Sequence, residues 1–239
     1  MITKKLDSKR IVLFLLIITL TFLLVLISGW SGETVILNGY SRYINKQIIY
    51  QSTTFFIALI FLLILWFTLN TEFKEYFRKG NISARITPEP KIGIKPKRNE
   101  NWLHIGSNLT IIITIVTAII IYFQTIKVND IAFINLVNVL PYSFLFALSN
   151  SFVEEIITRF GIVVVLKDKL NDKQIPFVSA TVFGTVHYWG NPGGPVGVLV
   201  AGFLGWFLTK SIIETKGIFW AWLIHFLQDV IIITALLAK

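Results

Sequence analysis

Glu154, Glu155, His187 and His225 are the residues of this chain best suited to hydrolytic chemistry, and each lies in or against apolar sequence. Ionisable side chains in such surroundings are costly and seldom left unpartnered, so an acid or an imidazole there is a functional-site hypothesis by default. Of the 13 Asp and Glu residues, only Glu154, Glu155 and Asp229 lie outside loops and tails, and of the 3 histidines, His187 and His225 sit inside apolar runs. The third, His104, stands beside Trp102 and reads as an interfacial anchor.

Three spacings organise these groups. Glu155 and Arg159 are four apart, so they share a helix face and can pair, which leaves Glu154 free on another face to act as a general base on water. Ser151 with Glu154 is also a capping-box pattern that merely starts a helix, and on this motif alone the two readings are even. Phe183 and His187 share a face, with the ring beside the imidazole. A lone histidine on an apolar helix is more often hydrogen-bonded structure than catalyst. His225 and Asp229 are again four apart, so the carboxylate can orient or charge the imidazole, and the bland alternative is a buried polar pair tying helices together. Together the motifs use nearly every ionisable group in the apolar runs.

Their depths agree. With about 1.5 Å of rise per helical residue, counted from the nearest basic loop, His187 lies roughly 18 Å in, His225 roughly 12 Å and Glu154 roughly 20 Å. Three separate segments can therefore converge on one chamber, expected to open toward the cytoplasm.

The elements that must position them are membrane spans. Mean hydropathy is +0.71 with 54% apolar residues, a composition that excludes an ordinary soluble domain. Uncharged runs long enough to cross hydrocarbon occupy residues 11–29, 48–69 and 105–125, and four less clean runs occupy 131–149, 175–189, 195–208 and 218–238. The expectation is an all-α polytopic membrane protein of about seven to eight transmembrane or re-entrant helices. The 131–149 run contains Pro141, and a break there or at 149–151 would leave room for a helix through Glu154. Gly197, Ala201 and Gly205, at intervals of four, predict close approach of a neighbouring helix.

The formal charge of +9 gathers beside the apolar runs, which points to anionic lipid headgroups and topology rather than to nucleic acid. The basic tail carrying Lys4, Lys5, Lys9 and Arg10, the stretch at 74–98 and the turns at 167–173 and 210–216 all fall on one side, which the positive-inside rule makes cytoplasmic. The first run is too long for a signal peptide and reads as a retained span with a cytoplasmic N-terminus, in the plasma membrane of a prokaryote. The polar stretch 70–101, with Pro88, Pro90 and Pro96, reads as a cytoplasmic loop dividing an N-terminal membrane hairpin and loop, 1–104, from a second membrane region, 105–239. With no cysteine, thiolate catalysis, disulfides and Cys-ligated metal are excluded.

Two Glu followed by Arg159, Phe183 followed by His187, and His225 followed by Asp229 resemble, in this order, the EExxxR, FxxxH and HxxxN/D motifs of the CAAX protease and bacteriocin-processing family of intramembrane peptidases, also called the Abi family. The motifs span residues 154–229, about a third of the chain. The resemblance implies an all-helical membrane peptidase with a cytosol-facing chamber, acting on a hydrophobic or lipid-modified peptide such as a prenylated CAAX protein or a bacteriocin or signalling precursor. It makes Glu154 the base, His187 its partner, and His225 with Asp229 the stabiliser of the oxyanion, while Glu155 and Arg159 hold the helix. Glu154, His187 and His225 could also ligate zinc or another divalent metal with a position open for water, and a metal-free glutamate mechanism is equally consistent. Asp229 departs from the more usual Asn, and an ionised Asp cannot donate to an oxyanion.

Other peptidase chemistries fare worse: HExxH is absent, and the rhomboid-like Gly29, Ser31, Gly32 pattern lies at the outer end of the first span and reads as a turn. Two further readings stand beside peptide hydrolysis. One is a non-catalytic immunity or peptide-binding protein that keeps the polar chamber. The other is a small transporter using the same charges as a proton relay.

Overall fold

In lipid every backbone polar group must be satisfied within the chain, so apolar runs of this length fold as helices. The computed structural model describes residues 7–190 and 193–239; Lys4 and Lys5 of the basic tail lie outside the described residues. The described chain is helical without a β-sheet. Its elements are α1 (Ser8–Ser31), α2 (Arg42–Thr68), the short α3 (Asn70–Tyr76), α4 (Trp102–Ile121), α5 (Phe133–Glu155), α6 (Gly161–Leu166), α7 (Gln174–Val186), α8 (Gly194–Thr215) and α9 (Phe219–Leu237). Asp7 caps α1 by accepting from the Arg10 amide, and Ser41 and Asn101 cap α2 and α4 in the same way, satisfying N–H groups that the first turn cannot.

Among the described residues six helices are long and apolar enough to cross a membrane, and this is an all-α polytopic protein. The shorter α7 adds a seventh element. At 13 residues, or about 20 Å, it is too short to cross alone, and it ends in a tight turn at His187–Trp189.

The expected break near Pro141 is absent. The helix passes Pro141 and residues 149–151 without interruption and runs through a wide turn at Ile156–Phe160 into α6, 34 residues in all. Each backbone group freed by a break would have to find a partner away from water, so the helix tolerates the one amide that Pro141 lacks. At about 51 Å the rod exceeds the roughly 30 Å of hydrocarbon. Its far end is sunk in protein, since every residue of 156–166 is buried. The wide turn is where this helix is irregular, and it holds Arg159. Ser179 of α7 donates its hydroxyl to the Thr158 carbonyl at 2.9 Å, and an alanine-sized side chain at Gly161 would meet the Phe61 ring at 2.8 Å.

Residues 77–101 are a strap rather than a free loop. The Ile218 amide donates to the Arg78 carbonyl at 2.9 Å, the Asn81 amide to Thr215 at 2.8 Å, and the Trp220 indole to Ile82 at 3.1 Å. Gly80, at φ +79°, lies so close to Gly217 that neither could carry a side chain. Beneath the strap a single apolar cluster joins α1, α2, α3 and α4 to α5–α9, with Trp102, Phe160, Phe207 and Ile212 fully buried. Arg10 fastens α1 to this end through the Val165 and Lys167 carbonyls at 2.8 and 3.1 Å and a contact with Glu72.

The expected small-residue packing is found between α7 and α8. A Cβ on Gly205 would stand 3.2 Å from Ala180, and one on Gly184 only 2.8 Å from the Val198 carbonyl, so both glycines let the backbones meet.

Candidate active site

The polar residues of α5, α7 and α9 converge. Glu155 is buried and pairs with Arg159 at 3.0 Å, one helical turn on, as the spacing predicts. The same oxygen of Glu155 lies 2.8 Å from Nδ1 of His225, 70 residues away. Nε2 of His225 then faces two further carboxylates, Glu154 at 3.5 Å and Asp229 at 3.6 Å. Glu154 is the more open of the paired acids, with 16% of its side chain exposed against 1% for Glu155.

Phe183 is the spacer that sets the imidazoles. Its ring centre lies 4.0 Å from that of His187 and 6.1 Å from that of His225, and the Arg159 guanidinium rests 3.5 Å from it. His187 Nδ1 is 2.8 Å from the Phe183 carbonyl. A carbonyl can only accept, so Nδ1 carries the proton and the Nε2 lone pair remains for the cavity that His187 lines.

Asn150 carries no flag in the sequence motifs, yet its amide donates to Glu154 at 3.2 Å and to Asp229 at 3.0 Å, bridging the two acids. A signal for it exists, because Asn150 lies four residues before Glu154 on one helix face. The capping-box alternative for Glu154 fails here: Ser151 is inside α5, donating to the Ala147 carbonyl at 2.7 Å, so no helix starts at this point.

Glu154, Arg159, His187, His225 and Asp229 all line a cavity of about 680 Å³, within the range of small-ligand sites. The segment that supplies the ionisable cluster of this cavity has known relatives: residues 135–231 match the family model described as type II CAAX prenyl endopeptidase Rce1-like. Over this segment, which is less than half of the chain, the sequence is similar to the Rce1-like family. No curated protein and no solved structure matches the chain. The Rce1-like segment begins in α5 and ends in α9, so it holds all seven motif residues together with Asn150. With the six apolar helices among the described residues, this similarity to a protease family supports an integral membrane protein.

Two features of the site bear on its chemistry. The cavity does not open at the end of the basic loops. Its walls run outward to Ser28 and Gly29 at the end of α1, Tyr43 and Lys46 at the start of α2, Ile121 of α4 and Leu236 of α9, and no residue of 52–116, 160–182 or 205–224 lines it. The opposite end is closed by the apolar cluster and the strap, which fill the space the expected mouth would need. The second feature concerns metal. Among the described residues no three His, Asp or Glu side chains are grouped to hold an ion. Glu154, His187 and His225, the trio considered for zinc, are not grouped in this way; both imidazoles engage their partners through Nδ1, His187 with the Phe183 carbonyl and His225 with Glu155.

Proposed function

We propose that the chain is an intramembrane endopeptidase in which Glu154 activates a water against a peptide bond of a hydrophobic or lipid-modified substrate. The observation that supports this most is the approach of Glu154 to His225, on separate helices and 71 residues apart, beside a cavity of about 680 Å³ also lined by His187.

In this reading Glu154 takes a proton from water as its oxygen attacks the scissile carbonyl carbon, and His187, with a lone pair at Nε2, holds the water for attack. The carbonyl becomes a tetrahedral oxyanion, and the His225 ring, anchored at Nδ1 by Glu155, turns Nε2 toward the charge. Asp229 keeps that ring oriented and charged. When the C–N bond breaks, the proton held on Glu154 passes to the departing amine, restoring the carboxylate. Asn150 supplies the amide donor that Asp229 lacks and fixes both carboxylates.

The test is cleavage of a hydrophobic peptide by purified protein, read by mass spectrometry. Glu154→Gln keeps the size and loses the base, so the rate should fall about 10²- to 10⁴-fold. Cleavage at the original rate by this variant removes Glu154 from the role and with it the reading.

A further inference from the structure

We propose that the site is served from the non-cytoplasmic face, so that the substrate is an apolar peptide presented at the outer leaflet, such as the residual anchor of a translocated precursor, rather than a cytoplasmic protein tail. This rests on the peptidase reading for the word substrate, but its topological half stands on independent observations.

The first observation is the direction of the cavity. Apart from the polar cluster at the cavity floor, which includes Asn150 and Thr158, the wall residues lie toward the end of the helices that carries the α1–α2 turn. The second is charge. The closed end carries Lys9 and Arg10, eight Lys and Arg between residues 74 and 98, Lys167, Lys169 and Lys173, and Lys210 and Lys216. The open end carries Arg42, Lys46, Lys127 and Lys239. Short loops rich in Lys and Arg stay cytoplasmic, which puts the closed end inside and the mouth outside. The two observations come from different residues, one set from what faces the cavity and the other from what flanks the spans.

The third is a polar ladder that leads inward from the mouth. Tyr43, Gln47 and Gln51 stand at intervals of four on one face of α2, where each would otherwise meet apolar neighbours. Gln47 donates to the Tyr43 hydroxyl at 3.0 Å, Gln51 to Gln47 at 3.2 Å, and Gln51 reaches Asn150 at 3.5 Å. Asn150 is bonded to Glu154, so the ladder joins the mouth to the base without interruption. Facing it are apolar side chains including Leu24, Val200 and Ile232. A strip of amides and hydroxyls opposite an apolar wall suits a peptide whose backbone needs hydrogen bonds and whose side chains are greasy, and it also wets the path for the water consumed.

The chain has no cysteine, so single-cysteine variants give the test directly. In spheroplasts expressing the chain, a membrane-impermeant maleimide should label Asn38→Cys in the α1–α2 turn and Ser28→Cys in the cavity wall. It should label Lys91→Cys in the strap only after the membrane is opened. Labelling of Lys91→Cys from outside, or of Ser28→Cys only from inside, overturns the proposal. The same spheroplasts receive a quenched fluorogenic apolar peptide, which wild type should cleave from outside and E154Q should not. Gln47→Leu should raise KM for that peptide at least threefold with kcat within twofold, and an unchanged KM would remove the ladder from substrate binding. Expected labelling without cleavage would sink the peptidase reading and leave the topology standing, whereas reversed labelling with cleavage by purified protein would do the opposite.

Discussion

One oxygen of Glu155 holds two partners at once: the Arg159 guanidinium at 3.0 Å and Nδ1 of His225 at 2.8 Å. The second Glu of the motif is therefore more than a helix pin. It carries the ion pair of α5 across to the imidazole on α9, and through that ring to Glu154.

Removing Arg159 should unfold this arrangement. The guanidinium and Glu155 are both almost completely enclosed, and a buried carboxylate stripped of its partner costs about 3–5 kcal/mol. Arg159→Ala should lower the thermal midpoint in detergent markedly and abolish cleavage. Arg159→Met with Glu155→Gln, which removes both charges of the pair, should recover much of the stability but not the activity. Equal stability of wild type and Arg159→Ala would show that the pair is not the anchor.

Asn150 should act as a positioning residue. Asn150→Ala loses two charge-assisted bonds, to Glu154 and Asp229, a loss on the order of 1–3 kcal/mol. Because the amide holds both carboxylates in place, kcat should fall about tenfold with KM nearly unchanged, as the loss of about 1.4 kcal/mol implies. A merely structural Asn150 would lower the thermal midpoint and leave kcat of the folded protein in place.

Chelation tests the donor set. With no cluster of three ligating side chains among the described residues, cleavage by purified protein is expected to persist after dialysis against a strong chelator. Loss of activity that zinc alone restores would show that the side chains regroup around an ion.

The α7–α8 contact should be intolerant of volume. Gly184→Ala puts a methyl group 2.8 Å from the Val198 carbonyl, and overpacking of this kind costs about 1–3 kcal/mol. Since Gly184 lies one turn before His187, the strain should displace the imidazole, and kcat should fall more than KM rises. An unaltered midpoint and rate would mean that the two helices part freely.

The sequence alone determined the features that periodicity and the cost of polar groups in lipid dictate. These are helices for the apolar runs, pairing of Glu155 with Arg159, the Phe183–His187 contact, small residues where α7 meets α8, and the choice of ionisable groups that would meet. Each depends on neighbours within one or two turns, or on what hydrocarbon excludes. Only the tertiary structure decided which way the cavity faces, because depth counted along a helix says nothing of which end the neighbouring helices close. It also brought His225 onto Glu155 and Asn150 onto Asp229, contacts that cross 70 or more residues and depend on how α9 is rotated against α5. No local pattern encodes that rotation; it is set by the packing of the whole apolar cluster.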